Sequence, residues 1–140
     1  FILPNQLQMN YTICYISKSS VELKQKDLEE IFAHTQLQNN RKEIKGILLY
    51  EFGNFFQVLE GNKKVIEDLY ENKISEDPRH TDIHTLINYD IEKPIFKEYS
   101  SDFNIVKTRT QLESIRTYLN LNHHHHFSEN IQRLLTPFLL

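Results

Sequence analysis

Residues 44–60 constrain the fold of this chain more than any other segment. The sequence IKGILLYEF of residues 44–52 is apolar at both alternating sets of positions, which is typical of a strand buried on both faces. Gly53-Asn54 predicts a tight turn, and FFQVLE of residues 55–60 predicts the second strand of a hairpin. A strand that is apolar on both faces requires a sheet with a further layer packed against each side.

Strands and helices alternate around this hairpin. A capping box of Ser19 and Glu22 marks the start of a helix after a β-branched and aromatic first strand. The predicted elements are a strand at 11–17, a helix at 20–36, the hairpin, a helix from Gly61-Asn62 to Asp77-Pro78, and strands at 83–92 and 95–105. This βαββαββ order predicts an α+β, ferredoxin-like sheet with both helices on one face.

Two amphipathic segments follow the predicted sheet. A capping box of Thr110 and Glu113 begins a third helix, and residues 128–136 form a short fourth helix. Because the hairpin needs cover on its second side, we expect these two helices to pack there. They are also the expected output or oligomerisation element.

The pattern divides the chain into three parts. These are an N-terminal extension at 1–9, which is vector-derived or native, a domain at 10–105, and a helical cap at 106–140. The run His123 to His126 is a tag or a native loop. Four consecutive histidines cannot close a tetrahedral site well from one loop, so no metal is predicted.

Charge and cysteine content restrict the class of function. The formal net charge is −3, whereas a surface for nucleic acid or anionic lipid needs a basic face. Cys14 is the one cysteine, which excludes an internal disulfide and favours a reducing compartment. No apolar run approaches the roughly 20 residues that span a bilayer. The sequence therefore predicts a cytoplasmic protein without a nucleic-acid or membrane partner.

Two polar side chains stand out among apolar neighbours. Gln57 points to the same face of its strand as Phe55 and Leu59, and Tyr15 lies in the first strand. Burying an amide without a hydrogen bond costs about 1–3 kcal/mol, so Gln57 needs a partner. A Tyr15–Gln57 bond that only satisfies the core and a bond that belongs to a binding site both fit this pattern.

Four segments share their order and context with one known family. They are ICYIS at 13–17, NNRKEIKGILLY at 39–50, NFFQVLEG at 54–61 and ISEDPRH at 74–80. The specific part is N-x6-G-x-L-x-Y followed by F-F-Q-x-L-E-G. Over residues 10 to about 104 the chain resembles the BLUF domains, which are flavin-binding sensors of blue light.

The resemblance implies a role for each matching residue. It makes Tyr15 the photochemical electron and proton donor, with Gln57 between Tyr15 and the flavin and bonded to both. Asn39 is expected to hydrogen-bond the isoalloxazine ring. The residues implied at the ribityl and phosphate end are Asp77, Arg79 and His80. The implied cofactor is FAD, with FMN as the alternative because both present the same ring.

The chain departs from the family pattern in one strand. Tyr99 stands where the family has Trp, and Ser101 stands where it has Met. The Ser101 hydroxyl is expected to compete for the Gln57 amide more strongly than a thioether does. We therefore expect the photochemistry to survive, with an altered lit-state lifetime and output. Tyr99, if close to the flavin, is a rival electron donor.

The resemblance implies a photosensor without net catalysis. Its output is expected to pass through the helices of residues 106–140 to a homo-oligomer or to a separate effector protein. Two alternatives on the same scaffold remain at this point. One is a flavin-free interaction module, in which Tyr15 and Gln57 are structural, and the other is a small hydrolase.

Overall fold

The fold is built on one five-stranded sheet. The structure, a computed structural model, describes residues 9–122 and 128–139. The strands are β1 (Asn10–Ser19), β2 (Lys45–Glu51), β3 (Asn54–Asn62), β4 (His80–Ile91) and β5 (Asn104–Val106). The helices are α1 (Gln25–Arg41), α2 (Lys63–Leu69) with a π-helical turn (Tyr70–Ile74), α3 (Arg109–Leu121), and α4 (Ser128–Leu135) with a 3-10 turn (Thr136–Leu139). The strand order is β4-β1-β3-β2-β5, with β1 antiparallel to β3 and β4, and β2 antiparallel to β3. The predicted α+β, ferredoxin-like fold is confirmed.

The β2–β3 hairpin depends on two glycines. The turn lies at Phe52 and Gly53, one residue before the predicted Gly53-Asn54, because both residues have positive φ angles of 54° and 77°. Gly46 has a φ of 133°, and a Cβ atom there would stand 1.9 Å from the carbonyl oxygen of Val58. Only glycine allows β2 and β3 to approach this closely at that point.

Both helices of the βαββαβ unit pack on the same face of the sheet, which we call the front face. Phe32 of α1 and Ile66 of α2 share one buried cluster with Ile13 and Leu59. Burial of such side chains contributes roughly 1.5–3 kcal/mol each, so this layer holds both helices against the strands.

The bounds of the two front-face helices differ from the predicted ones. Helix α1 begins five residues later than predicted, because Ser19 still belongs to β1 and its hydroxyl bonds to the carbonyl of Val21. The predicted start of α2 is confirmed, since Asn62 Oδ1 accepts hydrogen bonds from the backbone of Lys64 at 3.0 Å and Val65 at 3.3 Å.

The strand predicted at 95–105 is wrong over most of its length, since only Asn104–Val106 forms a strand. Glu60 lies on the rear face of the sheet, and its carboxylate accepts hydrogen bonds from the backbone N–H groups of Ile95 and Phe96, each at 3.0 Å. These amides therefore bond to a side chain instead of a neighbouring strand. The Lys45 ammonium also donates to the carbonyl of Ser101 and so holds the far end of this segment.

The rear face of the sheet is buried along its centre. Cys14, Ile47, Phe56 and Val58 are each at most 1% exposed. Ile95 and Phe96, which Glu60 holds against this side, are also buried. Cover of this face by the C-terminal helices stays a prediction.

The chain divides into two compact units, and the second begins at Val106. Its first helix is capped by Thr108, two residues before the predicted Thr110. The Thr108 hydroxyl accepts from the backbone of Gln111 at 3.1 Å, while Gln111 Oε1 accepts from the backbone of Thr108 at 3.0 Å. Helix α3 packs against α4, which ends at Leu135 before Pro137.

No helix within 9–122 or 128–139 combines the length and the apolar character needed to cross a bilayer. The same residues contain no group of three or more His, Cys, Asp or Glu side chains suited to a metal ion. The predictions for residues 1–8 and for His123 to His126 lie outside the described residues.

Candidate functional site

A cavity of about 360 Å³ lies between the front face of the sheet and the two helices that pack on it. The sheet contributes Tyr15, Leu48, Phe55 and Gln57. Helix α1 and its end contribute Ile31, His34, Thr35, Gln38, Asn39 and Lys42, and the segment from α2 to β4 contributes Leu69, Lys73, Ile74, Asp77, Arg79 and His80. Mixed apolar walls with a few converging polar groups are typical of a small-molecule site of this size.

Tyr15 and Gln57 form a hydrogen-bonded pair at the floor of this cavity. The two residues are directly opposite each other in the β1–β3 register, and the Tyr15 hydroxyl donates to Gln57 Oε1 at 3.0 Å. Each is only 4% exposed. Burial raises the pKa of the Tyr15 phenol far above its usual value, so the hydroxyl remains protonated and remains the donor.

Asn39 brings an unsatisfied donor to the cavity. It lies in the last turn of α1 and is 3% exposed, and its own carbonyl accepts from the backbone of Ile44 at 2.9 Å. Its side-chain Nδ2 is buried and has no hydrogen-bond partner among the described residues. An unsatisfied buried N–H group costs about 1–3 kcal/mol, which favours an acceptor supplied by a ligand. A flavin ring offers such acceptors, so the residues present fit this group.

Asp77 and Arg79 are paired with each other at the edge of the cavity. Arg79 Nε donates to Asp77 Oδ1 at 2.9 Å and to Oδ2 at 3.0 Å, and a second guanidinium nitrogen adds a further bond. The guanidinium lowers the pKa of the Asp77 carboxyl, and the carboxylate raises the pKa of Arg79. The positive charge of Arg79 is therefore largely balanced within the protein.

His80 uses both ring nitrogens inside the protein. Its Nε2 lies 2.6 Å from the carbonyl oxygen of Ile74, which can only accept, so Nε2 carries a proton. Its Nδ1 lies 2.7 Å from the hydroxyl of the buried Ser17. The ring also packs edge-on near Tyr15, with 6.1 Å between centroids. His80 thus fixes the end of the π turn to β1 beside the Tyr15–Gln57 pair.

The structure places Tyr99 and Ser101 outside the residues that line the cavity. The Tyr99 ring packs against Phe96, with 6.2 Å between centroids. Ser101 is exposed, and its carbonyl accepts from Lys45 on the strand next to β3. No hydrogen bond between Ser101 and Gln57 occurs among the residues that the structure describes.

Sequence reasoning missed three residues near the site. The Tyr70 ring lies 5.7 Å from that of Tyr15 between centroids, and its hydroxyl bonds to the Thr85 hydroxyl. Lys42 and Lys73 line the cavity from two different elements. Only Lys42 had a local signal, because it follows Asn39 by one helical turn inside the segment that carries the family resemblance.

The fold and the site define a class: a ferredoxin-like domain with a cavity of small-molecule size over a buried tyrosine–glutamine pair. The family model described as "Sensors of blue-light using FAD" matches residues 11–102. The chain belongs to this family, the BLUF domains. The predicted family is therefore confirmed, and with it the broad class of flavin-using blue-light sensors.

Individual relatives agree with this family. The chain is 41% identical over 75 residues to the photoactivated adenylate cyclase subunit beta of Euglena longa. These 75 residues are 54% of the chain and 9% of that protein. It is also similar to the ground state of BlsA, at 32% identity and a TM-score of 0.65, with 94% and 85% of the two chains covered. The dark-state structure of BlrB, a BLUF protein, aligns at 26% identity and a TM-score of 0.68, with 95% and 99% covered. The chain therefore spans less than a tenth of the length of that cyclase subunit.

Proposed function

We propose that this chain is a blue-light photoreceptor that binds FAD non-covalently in the front-face cavity, with FMN as the alternative, and that Tyr15 and Gln57 form its photochemical switch. One observation carries the proposal. The Tyr15–Gln57 hydrogen bond lies in a cavity that Asn39 also lines with an unsatisfied amide. Membership of the family supports the class, and this geometry supports the assignment of individual residues.

The residues around the cavity suit the two ends of a flavin. Ile31, Leu48 and Phe55 provide apolar walls for a ring, and Asn39 Nδ2 donates to one of its acceptors. The residues that follow the π turn in the chain also line the cavity, and they are Asp77, Arg79 and His80. We place the ribityl and phosphate end of the flavin beside them. The bonds among these residues and their neighbours pre-order that end before the ligand enters.

The switch is a proton movement along one hydrogen bond. A bound flavin would supply the light-driven oxidant, and Tyr15 would be the residue that gives up one electron and later regains it. Oxidation makes the Tyr15 phenol strongly acidic, so its proton moves from Oη toward Gln57 Oε1 over the 3.0 Å contact. Electron and proton both return to Tyr15, so there is no net oxidation or reduction. The Gln57 amide is left rearranged, by rotation or by tautomerisation.

The rear face supports a route for the output. Gln57 and Glu60 lie on the same strand but on opposite faces, and Glu60 holds the backbone of Ile95 and Phe96. A change in the hydrogen bonds of Gln57 shifts β3 and with it the segment that leads to the C-terminal helices. We propose that these helices transmit the signal to a homo-oligomer or to a separate effector protein, as a shift in populations.

The competing functions make different demands on the site. A flavin-free interaction module would leave the Asn39 amide buried and unsatisfied. A bound flavin removes this free-energy cost because it supplies an acceptor. A hydrolase would convert a substrate, whereas in the proposed mechanism Tyr15 regains both its electron and its proton. We therefore propose a sensor without net catalysis.

Variants of the pair test this proposal. Tyr15→Phe removes the hydroxyl but keeps the ring, so the protein should bind flavin and show no light-induced shift of its absorption. Tyr89→Phe, on the exposed outer part of β4, is the matched control and should keep the shift. A Tyr15→Phe protein that still shifts like the wild type would contradict the assigned role of Tyr15.

A further inference from the structure

The cationic groups of the cavity fall into two kinds. Arg79 is balanced by Asp77, and both ring nitrogens of His80 are engaged within the protein. Lys42 and Lys73 line the same cavity, and neither forms an ion pair with a carboxylate in the part of the chain that the structure describes. Two positive charges therefore line the cavity without a carboxylate of the described residues at ion-pair distance.

The two lysines are brought together by different elements. Lys42 caps the end of α1, where its backbone N–H donates to the carbonyl of Asn39 at 3.2 Å. Lys73 lies in the π turn after α2. Both side chains line the cavity, and the pKa of Lys42 is lowered, first by partial burial and then by its interaction with the Lys73 ammonium. Asp68, which partly offsets this effect, is hydrogen-bonded to Asn72 at 2.7 Å.

Adjacent ammonium groups destabilise each other, and an anion between them removes this repulsion. We propose that Lys42 and Lys73 bind the phosphate group esterified to the ribityl chain of the flavin, so that the cavity selects phosphorylated flavins over riboflavin. This inference rests on the proposed function, which places a flavin in the same cavity. A phosphate offers several acceptor oxygens, so both ammonium groups can donate to it at once.

The test compares three flavins that share one ring. The full chain is freed of flavin and titrated with riboflavin, FMN and FAD, with quenching of flavin fluorescence as the readout of the dissociation constant. The Lys42→Gln/Lys73→Gln variant is compared with Lys26→Gln/Lys64→Gln, which removes one exposed lysine from α1 and one from α2, both outside the cavity lining. Both variants change the net charge equally, so long-range attraction is matched.

We expect the wild type to bind FMN and FAD at least about tenfold more tightly than riboflavin, because charge-assisted hydrogen bonds are the strong ones. The Lys42→Gln/Lys73→Gln variant should lose most of this preference while binding riboflavin as the wild type does. The control should keep the preference.

Three outcomes would overturn the assignment. Equal affinities of the wild type for all three flavins would remove the phosphate subsite and leave the flavin site intact. A loss confined to FAD would move the contact to the adenylate end. No binding of any flavin by the wild type would overturn both the subsite and the proposed function.

Discussion

Replacing Glu60 by glutamine removes a buried carboxylate while keeping nearly the same shape. Glu60 is fully buried on the rear face of the sheet and holds the N–H groups of Ile95 and Phe96. Burial raises the pKa of its carboxyl from 4.5 to about 7, although the two backbone donors act in the opposite direction. Because the pKa of Glu60 differs this much between the folded and the unfolded state, the free energy of unfolding must depend on pH.

The sign follows from proton binding. Between pH 4.5 and 7 the folded state holds a proton on Glu60 that the unfolded state has lost. Stability from this group is therefore greatest at acid pH and falls as the pH rises toward 7. Over the interval from pH 5 to pH 8 the two pKa values give a loss of about 2–3 kcal/mol in the free energy of unfolding. Cys14, the titratable group coupled to Glu60, stays neutral because burial raises its pKa well beyond this range.

Urea unfolding at pH 5 and pH 8 measures this effect. The free energy of unfolding of the wild type, measured relative to that of Glu60→Gln, should be about 2–3 kcal/mol higher at pH 5 than at pH 8. Other titrating groups are common to both proteins and cancel in this difference. Glu30→Gln, on the exposed side of α1, is the control and should follow the wild type at both values. Parallel curves for wild type and Glu60→Gln would refute the reasoning.

Three further substitutions test the fold and the site. Gly46→Ala should lower Tm by about 10 °C, since strain and the clash with Val58 cost about 3 kcal/mol, while Gly53→Ala, with open space around it, should lower Tm much less. Equal effects of the two would contradict the close approach at Gly46. Asn62→Ala should cost about 1 kcal/mol in urea unfolding through loss of the helix cap, and no change would remove that role. Asn39→Ala should weaken flavin binding by about tenfold in a fluorescence titration, and unchanged affinity would contradict its contact with the ligand.

The elements that the sequence predicted correctly have local causes. The continuous apolar runs of β2 and β3 and the cap at Asn62 each act within a few residues. The order of these elements then leaves few ways to build a sheet, and the ferredoxin-like arrangement follows.

The errors have causes that are distant in the sequence or ambiguous within it. The strand predicted at 95–105 is lost because Glu60, 35 residues away, takes the amide of Ile95. Two capping boxes compete at the start of α3, and Thr108 with Gln111 prevails over Thr110 with Glu113. Local patterns cannot rank such alternatives, because tertiary packing decides between them.

The candidate site likewise has a part that local patterns in the sequence predicted and a part that depends on tertiary packing. The two-residue period of a strand indicated that Gln57 shares a face with Phe55 and Leu59, and the register of β1 with β3 then brings Tyr15 opposite it. The proximity of Lys42 and Lys73 depends on how two helices pack, and no spacing in the sequence encodes it. The roles of Tyr99 and Ser101 stay predictions, since both residues lie outside the cavity lining.

The central claim is that Tyr15 and Gln57 form a light-driven switch beneath a bound flavin. The most direct test is the visible absorption of the flavin-loaded full chain in darkness, under blue light and again in darkness. The account predicts flavin bands that shift slightly to the red under light and return completely in darkness, without bleaching. Flavin bands that do not move under illumination would contradict the switch, and a chain that takes up no flavin would contradict the site itself.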